Sequence, residues 1–352
     1  MTTSARGMER EAYRQASERS NPCSHIPWNN TVAYHCLIAL IGLIVTPFVS
    51  GAQVSQSPQS EPADAYTLQV NVNMVMLSAT VVNGHGALVS GLSKGDFQVY
   101  EDGALQQIKD FSHDDIPVTA GILVDNSGSM APKRDDVIAA ALAFARASNP
   151  QDQMFVVNFN DRVFFGLPPD IAFTDRQDRL QQALLGISAI GQTSLYDGIA
   201  AALDHLTLGS RDRKVLILIS DGGDNASKHT LAQVLAMARQ STAIIYAIAI
   251  FDEQDGDQNP SVLKRFAKET GGEAFFPESS RDITSICEEI ARDIRNQYTL
   301  TYVPANASQD GRYRTIEVRA GAPGRGRLSV RTRAGYSVPV RIPESGSNGD
   351  RP

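Results

Sequence analysis

The chain has few cysteines, and they are poorly placed for a disulfide. Only three occur in 352 residues, and Cys23 and Cys36 both lie in the first 52 residues. If that part is removed, Cys287 has no intramolecular partner, so the protein must be held together by its hydrophobic core. Cys287 lies in a helical pattern, DITSICEEIARDI, which predicts a small buried side chain.

The sequence also lacks the features of nucleic-acid and nucleotide-binding proteins. Its 32 Lys and Arg residues are outnumbered by 39 Asp and Glu residues, so the formal net charge is −7. Binding to phosphate backbones requires concentrated positive charge, which excludes a general nucleic-acid binder. Neither a Walker A motif nor a G-x-G-x-x-G motif is present, so nucleotide binding has no support.

An apolar segment near the N-terminus predicts export. It spans residues 32–49, follows several arginines and ends in a Ser-Gly-Ala sequence. Ser50 and Ala52 match the small-x-small pattern of a signal-peptidase site, which would make Gln53 the first mature residue. The stretch before the segment is long for a signal, so the alternatives are translation from Met8 or retention as a membrane anchor. The predicted location is the periplasm, the cell surface or the medium of a bacterium, with membrane contact only through an uncleaved N-terminal segment.

The pattern of apolar residues changes twice along the rest of the chain. Strand-like alternation with Asn-Gly and Asp-Gly turns precedes a central block, and further strand patterns follow it. Within the block, continuous apolar strands such as residues 215–220 and 243–250 alternate with helical patterns. Such strands are buried on both faces, which predicts an α/β fold with a Rossmann-like, doubly wound and mostly parallel sheet.

The two strand-rich flanks are each too short to bury a sheet face alone. We therefore expect them to form one β-sandwich into which the α/β domain is inserted, with two separate small sheets as the alternative. The predicted organisation is a signal peptide or anchor with an N-terminal extension over 1–52, a linker over 53–63, a β-rich flank over 64–115, the α/β domain over 116–297, a second β-rich flank over 298–340 and a disordered tail over 341–352.

Three loops of the α/β block carry oxygen-bearing side chains where strands end or helices begin. The first, DNSGSM, follows an apolar strand and contains Asp125, Ser127 and Ser129 at alternate positions. The second contains Thr193 just before a helical run, and the third contains Asp221 directly after another apolar strand. Loops at the carboxyl ends of strands are where open α/β folds bind ligands. Oxygen-only groups favour a hard cation such as Mg²⁺, Mn²⁺ or Ca²⁺ over zinc or copper.

These five residues resemble the metal-ion-dependent adhesion site of the von Willebrand factor A family, which combines D-x-S-x-S, a distant Thr and a later Asp. The resemblance covers residues 118–297. It implies that Ser127 and Ser129 bind the ion directly. Thr193 would bind it directly or through water, while Asp125 and Asp221 would act mainly through water or hydrogen bonds. It also implies a protein partner that presents Asp or Glu, and the flanks are similar to bacterial exported proteins described as VWFA-related.

The predicted function is therefore metal-dependent protein binding or adhesion, and no residue is given a catalytic role. The alternatives are a structural scaffold of an envelope assembly with a non-essential metal and, more distantly, a hydrolase. Metal-assisted hydrolysis needs a positioned base. His205 and His229 follow the Thr193 and Asp221 loops at some distance and are expected to be surface or packing residues. Ser127 lacks the G-x-S-x-G nucleophile elbow of α/β hydrolases.

Two charged segments have simpler interpretations. The acidic run over residues 252–259 lacks EF-hand spacing, which favours a solvated loop. The arginine-rich C-terminal strands predict a solvated sheet face with protected edges, and contact with an anionic glycan or lipid is the alternative. The arginines in question are Arg312, Arg314, Arg319, Arg325, Arg327, Arg331 and Arg333.

Overall fold

The computed structural model describes residues 74–186, 188–251 and 258–338, which all lie in one compact unit, Leu68–Pro352. The predicted signal or anchor (1–52), the linker (53–63), the tail (341–352) and most of the acidic run lie outside the described residues. Within the described part, no helix combines the length and the apolar character needed to cross a membrane.

The elements follow the order expected from the sequence, with strands at both ends and alternating strands and helices between them. The strands are β1 (Val75–Asn83), β2 (Phe97–Glu101), β3 (Ala104–Gln106), β4 (Ile108–Ser112), β5 (Val118–Asp125), β6 (Gln153–Phe159), β7 (Val163–Phe165), β8 (Arg213–Ser220), β9 (Ile244–Ala249), β10 (Ala274–Phe275), β11 (Tyr298–Tyr302), β12 (Tyr313–Ala320), β13 (Leu328–Arg331) and β14 (Gly335–Ser337). The α-helices are α1 (Arg134–Ala147), α2 (Gln177–Leu185), α3 (Leu195–Leu206), α4 (Leu231–Gln240), α5 (Pro260–Thr270) and α6 (Ile283–Arg295). Short 3₁₀ helices occupy Lys94–Asp96, Gly128–Lys133 and Ser280–Asp282.

The central sheet has six strands in the order β10-β9-β8-β5-β6-β7. All neighbouring strands are parallel except β7, which runs antiparallel to β6. Every residue of β5 and β9 is buried, so the sheet is covered on both faces, and this explains why these strands are continuous apolar runs. Cys287 in α6 is fully buried, as its pattern predicts. The expected α/β fold with a mostly parallel sheet is confirmed.

The two flanks form a β-sandwich of two four-stranded sheets, with the strand orders β13-β1-β11-β4 and β14-β12-β2-β3. Each sheet therefore combines strands from both ends of the described chain. Leu77 and Tyr298 of the first sheet share one buried apolar cluster with Val99 and Val318 of the second. The α/β domain enters after β4 and leaves before β11, so it is inserted in the sandwich and the predicted fold class is confirmed. The individual domain boundaries stay predictions.

A buried polar cluster joins the inserted domain to the sandwich. One carboxylate oxygen of Asp293, in α6, accepts a hydrogen bond from Thr80 of β1 at 2.7 Å. The other accepts hydrogen bonds from the Tyr246 hydroxyl of β9 at 2.8 Å and from the Arg331 guanidinium of β13. Gln297 in turn donates to the Tyr246 hydroxyl at 3.0 Å. The last turn of α6 is thus hydrogen-bonded to the central sheet through Tyr246 and to one sheet of the sandwich through Thr80 and Arg331.

Candidate metal centre

Asp125 is the last residue of β5, and its carboxylate is buried and hydrogen-bonded on both oxygens. Oδ1 accepts the backbone N–H of Ser127 at 2.9 Å, which closes the turn of the DNSGSM loop. Oδ2 accepts the hydroxyl of Ser220, the last residue of the neighbouring parallel strand β8, at 2.6 Å. The two central strands thus end together and their terminal side chains are bonded to each other.

The carboxylate of Asp125 is costly to ionise in this position. Burial raises its pKa to about 6, although hydrogen bonds from Ser220 and Ser127 act in the opposite direction, and the neighbouring Asp221 carboxylate raises it further. Within the described part of the chain, no Lys, Arg or His forms a salt bridge with Asp125 or Asp221. Two buried carboxylates therefore lie at one sheet edge without a basic partner.

A chain of hydrogen bonds connects the first loop to the third. The hydroxyls of Ser127 and Ser129 lie 3.1 Å apart, and the Ser129 hydroxyl donates to Asp221 Oδ2 at 2.9 Å. Asp221 Oδ1 accepts the backbone N–H of Gly223 at 2.9 Å, as Asp125 does from Ser127. Four of the five residues predicted for the site are thus brought together by the fold.

Thr193 reaches the same region through its backbone. Its N–H donates to the side chain of Asn225 at 2.8 Å, and its carbonyl accepts the backbone N–H groups of Asn225 and Ala226, both at 3.0 Å. Two residues earlier, the carbonyl of Gly191 accepts the N–H of Gly128 at 3.1 Å. The Thr193 loop is therefore bonded to both other loops, while its hydroxyl takes no part in the hydrogen-bond chain of the other four residues.

Two polar residues that support these loops are not indicated by the sequence patterns described above. Ser220 ends an apolar run in the sequence, and its position next to Asp221 and in parallel register with β5 places it beside Asp125. Asp161 follows β6 and accepts the backbone N–H of Gln192, which fixes the loop before Thr193. A carboxylate after a buried strand is the same signal that marks Asp125, and it could have indicated Asp161 too.

The donor atoms at this edge suit a hard cation. Among the residues that the structure describes, no group of three or more His, Cys, Asp and Glu could hold a metal, so hydroxyl oxygens would have to contribute. When the Ser129 hydroxyl donates its proton to Asp221 and accepts a hydrogen bond from Ser127, one lone pair is left to bind a cation. The two carboxylates and the hydroxyls of Ser127 and Ser129 offer oxygen alone, which fits Mg²⁺, Mn²⁺ or Ca²⁺.

The two histidines considered as bases have other contacts. The Nε2 atom of His205 lies 2.8 Å from the carbonyl oxygen of Ala172, and its ring packs against Phe155 at 4.5 Å between centroids. The Nδ1 atom of His229 lies 2.7 Å from Asp197 Oδ1. Neither contact involves a residue of the oxygen site.

Residues 121–289 match the family model described as von Willebrand factor type A domain. Domains of this type generally mediate adhesion or protein interactions.

No curated protein matches the chain. A von Willebrand factor type A protein from Catenulispora acidiphila is 13% identical, with a TM-score of 0.45 over 78% of this chain and 76% of that chain. An aerotolerance-related membrane protein from Bacteroides fragilis is 16% identical, with a TM-score of 0.41 over 50% of this chain and 98% of that chain. The von Willebrand domain of a type V pili tip protein from Porphyromonas gingivalis is 14% identical, with a TM-score of 0.43 over 51% of this chain and 95% of that chain. At these identities and TM-scores, the three proteins say nothing of what this chain binds.

Proposed function

Because residues 121–289 form a von Willebrand factor type A domain, we propose that the protein binds a partner through a divalent cation held at its oxygen site. The residues proposed to hold the ion are Asp125, Ser127, Ser129, Thr193 and Asp221. The observation that carries the proposal is the pair of buried carboxylates, linked by serine hydroxyls and without a basic partner among the described residues. Uncompensated buried charge is costly, and a cation would relieve that cost.

The roles of the residues follow from their hydrogen bonds. Each carboxylate is bonded to one backbone N–H and one serine hydroxyl, so both are oriented by the loops before any ion arrives. We propose that Ser127 and Ser129 contribute direct oxygen ligands, and that Asp125 and Asp221 act largely through the groups bonded to them. A bound cation of Mg²⁺ type, with Mn²⁺ and Ca²⁺ as alternatives, would supply a free coordination position for a carboxylate oxygen of the partner.

The surroundings of the site leave room for such a partner. Gly128 is exposed and Ser129 is partly exposed, so the edge of the site can be reached from solvent. Ile190, next to the Thr193 loop, is 64% exposed, and its backbone N–H is bonded to the carbonyl of Asn126. An Asp or Glu side chain of the partner would bind the cation while neighbouring partner residues contact this rim.

We propose binding and not catalysis as the activity of this edge. A hydrolase would need a base near the reacting group. The contacts of His205 and His229 lie elsewhere, with Ala172 and Asp197. The serine hydroxyls of the site are bonded to each other and to a carboxylate that has no histidine partner. These contacts support the proposal that the protein is an interaction module. Nucleotides and nucleic acids are not among its proposed ligands.

We further propose that the protein is exported. The support is the apolar segment over residues 32–49 and the following Ser-Gly-Ala sequence. N-terminal sequencing of the protein recovered from the producing cells tests this proposal, because cleavage after Ala52 gives a chain that begins at Gln53. A chain that keeps the segment and stays in the membrane fraction would support the anchor alternative, and an uncleaved soluble chain in the cytoplasm would contradict export.

The binding proposal can be tested with Mn²⁺ as the probe. The protein is loaded with Mn²⁺, and the relaxation rate of water protons reports exchangeable water on the ion. Adding glutarate should lower that rate, because a carboxylate replaces a metal-bound water, while the neutral analogue glutaramide should leave it unchanged. Equal effects of the two compounds, or no bound Mn²⁺ at all, would contradict the proposal.

A further inference from the structure

A cavity of about 550 Å³ lies between the α/β domain and the β-sandwich, and none of the proposed metal ligands lines it. One wall is formed by α5 and the turn that leads to β10, and the other by β12 and residues 330–334. The turn contains Gly271 and Gly272. A Cβ at Gly271 would lie 2.4 Å from the backbone nitrogen of Arg333, and one at Gly272 would lie 2.1 Å from the carbonyl oxygen of Ile245. Gly271 thus allows the two walls to approach closely, while Gly272 allows the turn to pack against β9.

Each acidic residue of the cavity wall already has an arginine partner. These residues are Glu273 and Glu317. Glu273 forms a salt bridge with Arg331, another wall residue, and Glu317 forms one with Arg319 at 2.6 Å. Arg319 therefore pairs with Glu317 alone, whereas Arg331 is shared between Glu273 and Asp293 of α6.

Three further cations of the wall lack an acidic partner. Lys264 and Lys268, one turn apart on α5, form no salt bridge within the described part of the chain. Arg333 donates only to carbonyl oxygens, those of Gly335 at 2.8 Å and Arg239 at 2.7 Å. Burial lowers the pKa of Arg333. The cavity thus has an excess of positive charge.

The rest of the wall is apolar except for Thr332, whose hydroxyl donates to the carbonyl of Ser78 at 2.8 Å. Ile316, Val318 and Val330 belong to the apolar cluster of the sandwich and also line the cavity. Phe276 is 38% exposed, and the Nζ atom of Lys264 lies 4.6 Å from the centre of its ring. A cation close to an aromatic face, beside aliphatic side chains, places a charged and an apolar surface next to each other.

We infer that this cavity binds a monomeric amphiphilic anion, namely a carboxylate on an aliphatic chain. The carboxylate would be bound by Lys264, Lys268 and Arg333, and the chain would cover the apolar wall formed by the sandwich. The volume lies within the range of small-molecule sites. This site is separate from the oxygen site and does not depend on a metal.

Decanoate is the probe for the test, titrated calorimetrically into the full protein in the presence of a chelator so that a metal-bound carboxylate cannot contribute. Binding of one decanoate is expected, while decylammonium and acetate should fail to bind, since the first has the wrong charge and the second lacks the chain. The double variant Lys264→Glu and Lys268→Glu should weaken decanoate binding by about tenfold or more. The matched control is Lys109→Glu, an exposed lysine of β4 outside the cavity, which should bind decanoate as the wild type does.

Three results would overturn the inference. The first is the absence of decanoate binding to the wild type. The second is equal binding of decanoate and decylammonium, which would indicate an apolar surface without charge selection. The third is unchanged affinity in the double variant. If the double variant fails to fold, Lys264→Met and Lys268→Met, which keep the length of the side chains, provide the same comparison, and the outcome is read in the same way.

Discussion

The Ser129 hydroxyl donates a hydrogen bond of 2.9 Å to Asp221 Oδ2, and this bond joins two loops that are 92 residues apart in the sequence. It brings the end of β8 to the start of the 3₁₀ helix after β5. The bond holds the loop that contains Ser127 and Ser129 against the loop that contains Asp221. The hydroxyl donates its only proton to the carboxylate and accepts a hydrogen bond from Ser127, so one lone pair remains for a cation.

Ser129→Ala should therefore weaken cation binding without preventing folding. The variant loses one proposed ligand and the bond to Asp221, and we expect Mn²⁺ affinity to fall by about tenfold or more. Isothermal titration calorimetry of chelator-treated protein measures this change. Ser227→Ala is the matched control, because Ser227 also donates to an aspartate, Asp224, at 2.5 Å but lies outside the proposed site. Equal losses in the two variants would argue against a role for Ser129 as a ligand.

Asp293→Ala should strongly destabilise the protein. The substitution leaves Arg331, the Tyr246 hydroxyl and the Thr80 hydroxyl without their shared acceptor in a buried position. Breaking a buried charged cluster costs about 3 kcal/mol or more in the free energy of unfolding. Denaturant unfolding measures the loss. Asp178→Ala removes a carboxylate from an exposed salt bridge with Arg176 and should change stability little, so similar effects of both variants would contradict the prediction.

Gly272→Ala should destabilise the turn that forms part of the cavity wall. The new Cβ would lie 2.1 Å from the carbonyl oxygen of Ile245, so the turn must shift. We expect a loss of about 2 kcal/mol in the free energy of unfolding, which is typical of overpacking. Gly321→Ala is the control, since nothing lies within 4 Å of its added Cβ. A Gly272→Ala variant as stable as Gly321→Ala would show that this turn is not packed tightly against β9.

Glu269→Gln should lower stability in a pH-dependent way. Two hydrogen bonds from Arg239 join α4 to α5 and hold the pKa of Glu269 below its ordinary value of 4.5. A carboxyl with a lowered folded pKa stabilises the protein above the unfolded pKa and loses this contribution as the pH falls through the folded pKa. The difference in the free energy of unfolding between the wild type and the variant should thus reach its full value, about 1 kcal/mol or less, near pH 7. It should vanish in acid.

Unfolding curves from pH 7 down to pH 3 measure this difference. Glu289→Gln is a suitable control, because Glu289 is exposed on α6 and forms no salt bridge among the described residues. A difference for Glu269→Gln that persists at low pH would mean that the residue stabilises the fold by packing and not by its charge.

The sequence predicts the positions of the site residues along the strands better than it predicts their contacts. Asp125 and Asp221 follow continuous apolar runs, and such runs indicate neighbouring buried strands whose ends meet. The bond between Ser220 and Asp125 depends on the register of β5 and β8, which no local pattern specifies. A one-residue shift would turn Ser220 to the other face of the sheet.

The contacts between the flanks and the inserted domain could not be predicted either, because they depend on packing between residues that are far apart in the sequence. Alternation in the flanks indicates strands, and their short length indicates that they must combine. The bond from Thr80 to Asp293 joins residues 213 positions apart, and it requires both the sandwich pairing and the orientation of α6. The cavity beside Arg333 arises from the same packing, so Arg331 and Arg333, which the sequence assigns to a solvated basic face, line a cavity between the domain and the sandwich.

The effect of Mg²⁺ on thermal unfolding tests the proposed cation site most directly. A ligand that binds only the native state stabilises it, by about 2.7 kcal/mol at a concentration about 100 times its dissociation constant. We expect Mg²⁺ to raise the melting temperature of chelator-treated wild type, and we expect no rise for Asp125→Ala. A wild type whose melting temperature does not change with Mg²⁺ or Mn²⁺, or an Asp125→Ala variant with the full rise, would contradict the claim that these loops bind a cation.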